Sequence, residues 1–575
     1  MGWFLLAMQL LGAQPDSLEV LRTARLAQAH FEEVRLQHLP WSRDGSTAER
    51  CDEVVGRFCF WHDEDESWQP VPEAAAILTA RSQMVQTLRR LHGLAPREPW
   101  VAGQLVRYLI ESHRLDEALA AARACQGTTW WCAALTGYAL HAAGDYAAAD
   151  SAFVAALAGM PAEQRCRWTD LSLVLDGLRR RYRKLGCDQR AALDRRIWWL
   201  ADPLYLVPGN ERRTEHFARR VINELQDHAR SAYVVRWGRD LEELVLRFGW
   251  PVGWERAPTT TAAPQPRTIA HNQRQSRDFL PPARFVEAPN TILPDEWELD
   301  PDRPVTGYAP SYASVFHALP HQLAVFRRGD SVVVVAGYDV RAVRREHAGD
   351  GRVIDERQLG RQVTRVEAAL ALARHEGADP IVVHGSGSGP EGVMTAIAPA
   401  DSALVSLETL DTADSVHAAR ARFWLPVPPL TGDVTLSDPL MLRGLPEDSL
   451  HPSLADVIPL ARPVARARRG ERVGVFWETY GLEGSARPFR VTLTVTQRSR
   501  SWVRKAAEWA GLARRDPRAV SLSWEEPPRP GTTVYPRVLA VSMPDAGPGT
   551  YRLEVAVAVP GRSLARTERE ITIER

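Results

Sequence analysis

Lysine is almost missing from this 575-residue sequence, in which Lys184 and Lys505 are the only two lysines among 71 basic residues. The other basic residues are arginines, a bias that most simply reflects a GC-rich bacterial genome rather than phosphate recognition. The formal net charge is zero, because 71 acidic residues balance the 71 basic ones. Without a long-range positive field the chain is not steered to nucleic acid or to an anionic membrane, so we expect no nucleic-acid partner.

Long apolar runs are equally scarce. No run after the N-terminus approaches the roughly 20 apolar residues of a membrane-spanning helix, so no transmembrane segment is expected once a signal is removed. At the N-terminus, an apolar run over residues 3–11 is followed by Gly12 and Ala13, which predicts a secretory signal peptide over residues 1–13. A buried first helix is the alternative, since no basic residue precedes the run and Gln9 interrupts it.

Cysteine is absent from the last two thirds of the chain. The six cysteines are Cys51, Cys59, Cys125, Cys132, Cys166 and Cys187. Their order suggests three local disulfides (Cys51–Cys59, Cys125–Cys132 and Cys166–Cys187) among about fifteen possible connectivities. The tight Cys-x-x-Cys spacing of a zinc site is missing. We therefore predict export to an oxidising compartment, which makes the protein periplasmic or secreted and part of the cell envelope.

Recognisable catalytic motifs are also missing. The glycine-rich stretch at Gly385, Gly387 and Gly389 lacks the Lys-Ser/Thr ending of a phosphate-binding loop, and Gly387 stands where a serine-hydrolase elbow needs Ser. The acidic run over residues 62–66 lacks the alternating ligands and the turn glycine of a calcium loop. We therefore assign no catalytic, cofactor-binding or metal-binding residue and expect no cofactor.

Helical periodicity dominates what is present in the N-terminal part. The clearest segment, residues 130–161, places small, aromatic and helix-ending residues at tetratricopeptide positions: Gly137, Gly144, Asp145, Tyr146, Ala149, Phe153, Ala156 and Pro161. A weaker copy precedes it, with Leu115, Ala118 and Ala122 in register. This resemblance to tetratricopeptide repeats implies stacked antiparallel helix pairs that bind a protein partner. A self-packed array without a partner is the alternative.

The central residues 198–254 contain an ordered series of short motifs: Trp before Asp-Pro, a Pro-Gly-Asn-Glu turn, a Glu-His pair and a Trp-Gly-Arg-Asp segment. In this order they resemble the GWxTD domain of bacterial proteins. The residues that carry the resemblance are Trp199, Asp202, Pro203, Asn210, Glu211, Glu215, His216, Arg220, Trp237, Gly238, Asp240, Gly249 and Pro251. Arg236, Arg239 and Trp250 depart from the family pattern, which has Gly, Thr and Pro there. The resemblance implies a fold element and carries no established enzymatic activity.

The motif residues also make structural sense without a ligand. Asn210 is placed to cap a helix that begins near Glu211, and Glu215 and Arg219 are four residues apart on one face of it. His216 is a candidate for proton transfer, but no nucleophile or second base accompanies it, so we expect a structural, hydrogen-bonded histidine. Residues 241–248, which follow Asp240, fit either a helix or a strand.

Strand patterns dominate after a Pro-rich linker. The sequence predicts a multidomain α+β protein with a helical tetratricopeptide-like array (14–195), a GWxTD-like module (196–255), a linker (256–304), a β-rich domain (305–456) and an immunoglobulin-like antiparallel β-sandwich (457–575). A helical insertion at 501–514 carries Trp502 and Trp509, which suit either core packing or a sugar-binding platform.

Helical repeats and sandwiches both supply binding surfaces, and no reaction centre is visible in the sequence. The leading hypothesis is therefore a non-enzymatic protein–protein interaction or assembly factor of the bacterial cell envelope, which contacts its partner through the helical repeats. The alternatives are a hydrolase with a site near His216 and a glycan-binding envelope protein.

Overall fold

The computed structural model describes residues 17–42, 52–61, 70–257, 267–272, 276–292, 294–297, 299, 304–341, 365–385, 389–413, 416–425, 434–446, 451–483, 487–497, 520–529, 531–544 and 547–574. The predicted signal peptide, the acidic run 62–66, Cys51, Gly387 and the helical insertion at 501–514 lie outside these ranges. The chain forms two compact units. The first unit comprises Met1–Pro203, Val207–Glu287 and Leu299–Val315; the second comprises Leu204–Leu206, Ala288–Glu298 and Phe316–Arg575.

The first unit is mainly helical. Its helices are α1 (Ser17–His38), α2 (Ala75–Leu94), α3 (Pro99–Glu111), α4 (Leu115–Arg123), α5 (Thr129–Ala142), α6 (Tyr146–Gly159), α7 (Ala162–Trp168), α8 (Arg179–Tyr182), α9 (Cys187–Ala201), α10 (Glu211–Gln226), α11 (Arg239–Phe248) and α12 (Ala283–Glu287). Two antiparallel strand pairs accompany them: β1 (Glu53–Val55) with β2 (Phe58–Phe60), and β3 (Gly253–Ala257) with β4 (Arg267–His271).

Helices α3 to α6 form two consecutive hairpins with closely packed seams. Each hairpin turns through a residue with positive φ, His113 (φ 55°) in the first and Gly144 (φ 81°) in the second. In the second hairpin the ring of Phe153 lies against Gly137, where an added Cβ would come within 3.0 Å of it. Small residues therefore allow α5 and α6 to approach closely, as the residue pattern of this segment predicts.

Helix α10 continues the helical stack by packing against α5 and α6. Its C-terminal end reaches α3, where Gln104 donates to the Leu225 carbonyl oxygen at 3.0 Å. Gly103 of α3 leaves no room for a Cβ beside the Leu225 side chain. Residues 196–255, the predicted GWxTD-like module, thus lie in the same compact unit as the helical array, except for Leu204–Leu206.

The apolar spacing of residues 168–185 is typical of a helix, but the structure has no continuous helix there. Helix α7 ends at Trp168, and only the short α8 follows before α9. The intervening chain is held by side chains that compete with helix formation, since Asp170 accepts from the Ser172 amide at 2.7 Å and the Leu171 amide donates to the Tyr182 hydroxyl at 3.3 Å.

Two of the predicted disulfides are present in the described part of the chain. Cys125 is bonded to Cys132 and Cys166 to Cys187, with Cα–Cα distances of 5.5 and 5.7 Å. Cys59 is also disulfide-bonded. Disulfides of this kind are compatible with an exported protein. Within the described ranges, every helix is too short or too polar to cross a bilayer.

Replacing Cys166 and Cys187 together with serine is expected to lower the free energy of unfolding by about 3 kcal/mol, because the bridge closes a loop with a sequence separation of 21 residues. Cys125 and Cys132 are only 7 residues apart, so the equivalent double variant should lose less, about 2.5 kcal/mol. Urea denaturation without reductant measures both. Equal stability of the Cys166/Cys187 variant and the parent protein would contradict the loop-closure argument.

The second unit is built from strands. They are β5 (Val315–Ala318, whose first residue belongs to the first unit), β6 (His321–Arg328), β7 (Ser331–Asp339), β8 (Val366–Ala373), β9 (Ile381–His384), β10 (Glu391–Pro399), β11 (Ala403–Asp411), β12 (His417–Leu425), β13 (Thr435–Leu436), β14 (Leu440–Leu442), β15 (Arg466–Arg468), β16 (Arg472–Tyr480), β17 (Phe489–Gln497), β18 (Val520–Glu526), β19 (Val534–Ser542), β20 (Gly549–Ala558) and β21 (Ala565–Glu574). Short helices are α13 (Leu454–Val457) and the 3₁₀ turns Pro289–Thr291, Pro294–Trp297 and Ile458–Leu460.

In the described residues these strands form four sheets with mainly antiparallel pairing. The strand orders are β10-β7-β6, β5-β12-β11-β8-β9, β13-β16-β14 with β19 also on β16, and β15-β21-β20-β17-β18. Strands β6 and β7 form an antiparallel hairpin, with Arg328 opposite Ser331 at its tip. β15 and β21 pair in parallel. The described chain is therefore a multidomain α+β protein, as predicted.

Strand β16 lies between two cores of the second unit. Val475 and Trp477 pack in the core that β17, β20 and β21 share, whereas Phe476 packs in the core that β6 and β7 line. Successive side chains of a strand point to opposite faces, so β16 is buried on both sides.

Candidate functional site

Helix α10 carries four of the motif residues (Glu211, Glu215, His216 and Arg220), and its start follows from the local sequence. The Asn210 side chain accepts from the Arg213 amide at 2.9 Å and donates to the Trp198 carbonyl oxygen at 2.6 Å. The predicted cap is therefore confirmed, and it also ties the helix to α9. Unlike an ordinary amphipathic helix, α10 buries charged residues on several sides: Glu211, Arg212, Arg219 and Arg220. We call these residues, with Thr214, Glu215 and His216, the α10 polar cluster.

A chain of polar contacts runs from α5 to the middle of α10. His141 Nδ1 lies 2.9 Å from Thr214 Oγ1, and His141 Nε2 lies 2.6 Å from Glu215 Oε2. Glu215 also accepts from Arg219 Nε at 2.5 Å, which confirms the predicted pair. Burial disfavours the ionised Glu215, but Arg219 and His141 outweigh it and hold its pKa well below its usual range.

The Thr214 hydroxyl, which takes part in these polar contacts, already has a hydrogen-bond acceptor. Thr214 Oγ1 donates to the Glu211 carbonyl oxygen at 3.1 Å, so its lone pair rather than its proton faces His141. Thr214 is fully buried. The arrangement resembles a hydroxyl–imidazole–carboxylate relay in its order, but in this state the hydroxyl is used by the helix backbone.

Arg219 fixes the end of α11. Its Nη1 donates to the carbonyl oxygens of Leu246 and Arg247 at 3.0 and 2.9 Å, and its Nη2 donates to the Gly307 carbonyl oxygen at 2.7 Å. The last carbonyls of a helix lack partners within it and carry partial negative charge, so a buried guanidinium satisfies both needs.

His216 is buried and held from one side. Its Nε2 lies 3.2 Å from the Trp168 carbonyl oxygen, so Nε2 carries the proton, and Nδ1 has no hydrogen-bond partner within the described ranges. The ring packs between Trp198 and Phe217, with centroid distances of 5.3 and 5.4 Å. Burial lowers the pKa of His216 well below its usual range, and Arg220 and Arg212 add repulsion. The predicted structural, hydrogen-bonded role is what this geometry provides.

The N-terminal end of α10 faces tyrosines. Glu211 accepts from the Tyr312 hydroxyl, and Tyr146 lies 2.8 Å from Ser311 Oγ. Arg212 is fully buried, and its three nitrogens make no hydrogen bond within the described chain; the Tyr308 ring centroid is 5.9 Å away. Burial lowers the pKa of Arg212 to about 10, and Arg219 adds repulsion.

The other motif residues frame α9 and α11. Trp199 lies in α9, Asp202 follows its last residue, and Pro203 comes next. Arg220 donates to Glu242 at 2.9 Å and to the Asp170 carbonyl oxygen at 2.6 Å. These contacts join α10 to α11 and to the turn after α7.

Helix α11 settles the ambiguity of residues 241–248 in favour of a helix. Gly238 precedes its first turn, and Gly249 ends it at φ 83°. Asp240 accepts from Arg57 of the β1–β2 hairpin, and Trp237 stacks on Trp250 with a centroid distance of 6.4 Å. Pro251 follows and is buried. The structure thus brings the predicted motif residues into one framework around α10 and α11.

Chemically, the α10 polar cluster is enclosed by protein, and all of its members except Arg212 are hydrogen-bonded. Where it meets α5, His141 and Glu215 keep some contact with solvent, with side chains 11% and 17% exposed. Among the described residues, no group of three or more His, Cys, Asp or Glu side chains is arranged to hold a metal ion. Flat exposed aromatics, which a glycan platform needs, are few in the described chain: Trp41 and Trp61 are exposed, whereas six other tryptophans are buried, namely Trp100, Trp131, Trp168, Trp198, Trp297 and Trp477.

Sequence reasoning missed His141, Thr214, Arg212 and the tyrosines at 308 and 312. Arg212, Glu215 and Arg219 recur at spacings of three and four, so their placement on one face of α10 was readable from the sequence. Nothing in the sequence, however, indicates that the chain at 304–312 folds back to cover that face.

Comparisons with known proteins leave the family open. No family model matches the chain, and no curated protein matches it. A structural comparison pairs it with the crystal structure of red sea bream transglutaminase at 11% sequence identity and a TM-score of 0.13, over 44% of this chain and 31% of that chain. The chain thus spans about a third of that protein's length, and a TM-score of this size supports neither a shared fold nor a shared activity.

The pH dependence of stability tests the neutral, buried state of His216. The unfolded chain protonates this ring below a pKa of about 6.5, whereas the folded protein does not, so its contribution is complete above that pH and is lost as the pH falls. We expect parent stability to decline by about 1.4 kcal/mol more than that of His216→Gln for each pH unit below about 6.5.

Urea denaturation at pH 7.5 and at pH 5.5 measures this difference. The difference in stability between variant and parent cancels the contributions of other titrating groups. One such group is Asp194, whose pKa is raised to about 7 by burial. His228→Gln, at an exposed position, is the matched control and should keep the parental slope. A His216→Gln slope equal to that of the parent would show that the native ring is protonated.

Proposed function

We propose that this chain is an exported bacterial protein of the GWxTD type, with tetratricopeptide-like helices and an immunoglobulin-like C-terminal sandwich, and that it acts as a non-enzymatic interaction or assembly factor of the cell envelope. The observation that carries the proposal is that the reactive side chains of the motif form contacts within the fold. Glu215, His216 and Arg219 each contact partners inside the first unit. Side chains with such internal contacts stabilise the fold of the first unit. The protein therefore acts through its binding surfaces.

The tetratricopeptide-like part of the proposal is supported by equivalent positions in the two hairpins. Ala118 of α4 and Ala149 of α6 are both fully buried and occupy the same place after their turns. His113 and Gly144, the residues with positive φ, are also equivalent. Helix α10 packs on both helices of the hairpin α5–α6, and α5 likewise packs on both helices of the hairpin α3–α4. A repeated unit that stacks on its neighbour is the defining property of such arrays.

The surface available to a partner is restricted by α10. Helix α3 is buried from Trp100 to Leu109, and the C-terminal end of α10 contributes to that cover. The outward sides of α2 and α6 remain exposed, with large apolar side chains at Leu78 (52% exposed) and Val154 (49% exposed). We therefore assign partner binding to these outward sides.

Site-specific photo-crosslinking in cells tests this assignment. A benzophenone amino acid at position 78 or 154 should capture one defined envelope protein, and Val154→Glu should abolish capture from position 78. The same probe at Val235, an exposed position between α10 and α11, is the control and should capture less. Background capture from all three positions, or recovery of the protein only in the cytoplasm with reduced cysteines, would refute the proposal.

A hydrolase with its site near His216 is the second candidate. The observation that favours it is that His141 contacts Thr214 through one ring nitrogen and Glu215 through the other. The polar chain would then need to open, with His141 as the base. A panel of ester and amide substrates, compared between the parent and His141→Gln, tests this candidate. Turnover that His141→Gln abolishes would establish it, and no turnover above buffer would remove it.

A further inference from the structure

A cleft of about 330 Å³ lies in the first unit beside α11, and its lining includes no residue of the α10 polar cluster, although Arg219 of that cluster donates to the carbonyl oxygen of the lining residue Arg247. Its lining residues come from β1, the chain after α7, α8, α11 and the chain before residue 306: Asp52, Glu53, Leu173, Leu175, Asp176, Arg179, Glu243, Arg247, Pro304 and Val305. At the ~30 Å³ that a water molecule occupies in the liquid, this volume corresponds to about ten small groups. It lies at the lower end of the range of small-ligand pockets.

The lining combines an apolar wall with an excess of negative charge. Leu173, Leu175, Pro304 and Val305 supply hydrocarbon surface, and the two leucines are almost fully buried. Four carboxylates face two guanidiniums in the same lining. A ligand that complements both features carries positive charge on a short aliphatic stem.

The two guanidiniums differ in how firmly they are held. Arg247 is buried and fixed, since it donates to both carboxylate oxygens of Glu53 at 2.5 and 2.8 Å and to the Val305 carbonyl oxygen at 2.8 Å. Arg179 is 40% exposed and lies 3.8 Å from Glu243. Glu53 and Arg247 therefore form the floor of the cleft, and Arg179 is free to move aside.

Glu243 is the carboxylate best placed to receive a cation. It is half-buried, and its ion pairs with Arg179 and Arg247 are long, at 3.8 and 3.9 Å, which is beyond hydrogen-bond distance. Asp176 is exposed at the same cleft, and its side chain accepts a local hydrogen bond from the Gly177 amide at 2.8 Å. An ammonium or guanidinium group between these carboxylates gains charge-assisted hydrogen bonds that Arg179 does not make.

We propose that this cleft binds an organic cation, an alkylammonium or alkylguanidinium group on a short aliphatic stem. The stem packs on the Leu173 and Leu175 wall, and the charged group binds Glu243 and Asp176. A free diamine and a lysine or arginine side chain of a peptide offer the same chemistry. The inference is independent of the function proposed above, because that proposal does not use Glu243 or Asp176.

Isothermal titration calorimetry on the full chain tests the proposal with 1,5-diaminopentane, with lysine blocked as Nα-acetyl methylamide, and with two probes of matched length, 1,5-pentanediol and glutarate. We expect the cations to bind and the diol and the dianion not to bind. Glu243→Gln should weaken binding about tenfold, the loss of one charge-assisted hydrogen bond, and Asp176→Asn should weaken it less. Asp227→Asn, at a carboxylate that is 68% exposed and outside the lining, is the control and should change affinity less than about twofold.

The two cationic probes distinguish the sources of the ligand. Equal binding of blocked lysine and diamine indicates a peptide side chain, and binding of the diamine alone indicates a free amine. Absence of heat with both cations, binding of the diol or glutarate at equal affinity, or an unchanged affinity in Glu243→Gln would each overturn the proposal. Far-UV circular dichroism of Glu243→Gln keeps loss of binding separate from loss of fold.

Discussion

Arg35→Met is expected to lower the free energy of unfolding of the first unit by about 3–5 kcal/mol, the usual effect of breaking a buried ion pair from one side. Arg35 is 2% exposed and lies between α1 and α3. Its Nη1 is 3.3 Å from Glu32, and its Nη2 contacts Glu111. Methionine keeps most of the stem but leaves the Glu32 carboxylate, which is 1% exposed, without its cation.

The residues around Glu32 explain why no other group replaces the lost ion pair. Tyr108 donates to Glu32 at 2.6 Å and accepts from Gln28 at 3.0 Å, so the carboxylate is enclosed by buried polar groups. Arg81 already interacts with Glu73 and Glu111. Arg107 donates to the Tyr108 hydroxyl at 3.3 Å, and among the described residues Arg35 alone is within ion-pair distance of Glu32, so the charge stays desolvated in the variant.

Urea denaturation followed by circular dichroism at 222 nm measures the effect, since this signal comes mostly from the helical first unit. Arg89→Met breaks an exposed pair with Glu117, whose two side chains are 48% and 45% exposed, and should cost less than about 1 kcal/mol. Glu32→Gln combined with Arg35→Met should cost less than Arg35→Met alone, because the stranded charge is removed. Equal losses in Arg35→Met and Arg89→Met would contradict the argument.

Much of the fold was predictable where local chemistry decides it. Asn210 predicts the start of α10, and the alternation and turn of residues 321–336 predict the β6–β7 hairpin. The helical pairs follow from the small residues around Gly137, since close approach needs them. Residues 366–373 were ambiguous between helix and strand, and β8 forms because neighbouring strands pair with them on both sides.

The candidate site was predictable only in part, for a related reason. The Glu215–Arg219 pair is local, and sequence spacing alone places it. The contact of His141 with Glu215 joins residues on α5 and α10, and the contact of Tyr312 with Glu211 spans about a hundred positions. Such contacts depend on how helices stack and on where a loop returns, which hydrophobic periodicity does not encode. The charged sides of α10 suggest solvent, whereas tertiary packing buries them.

Gly209→Ala is expected to be among the most destabilising single changes in the first unit, by about 3–5 kcal/mol. Gly209 has φ 97°, a conformation that side-chain-bearing residues rarely adopt. An added Cβ would also lie 2.6 Å from the Tyr146 carbonyl carbon and from the Ala147 nitrogen. These are backbone atoms of the first turn of α6, so no rotation of a side chain relieves the overlap.

The two causes can be separated within the same unit. Gly144 has φ 81°, but an added Cβ there has Ser311 Oγ at 3.7 Å as its nearest neighbour, so Gly144→Ala should lose only the conformational part, about 1–2 kcal/mol. Gly93 lies in α2 with nothing within 4 Å, and Gly93→Ala should stabilise by up to about 1 kcal/mol through helix propensity. Urea denaturation of the three variants gives the order. If Gly209→Ala lost no more than Gly144→Ala, the turn before α10 would be free to move away from α6. The packing of α10 against that hairpin, on which the burial of the whole polar cluster depends, would then be looser than the contacts of Arg213 with Asp150 and of Phe217 with Phe153 require.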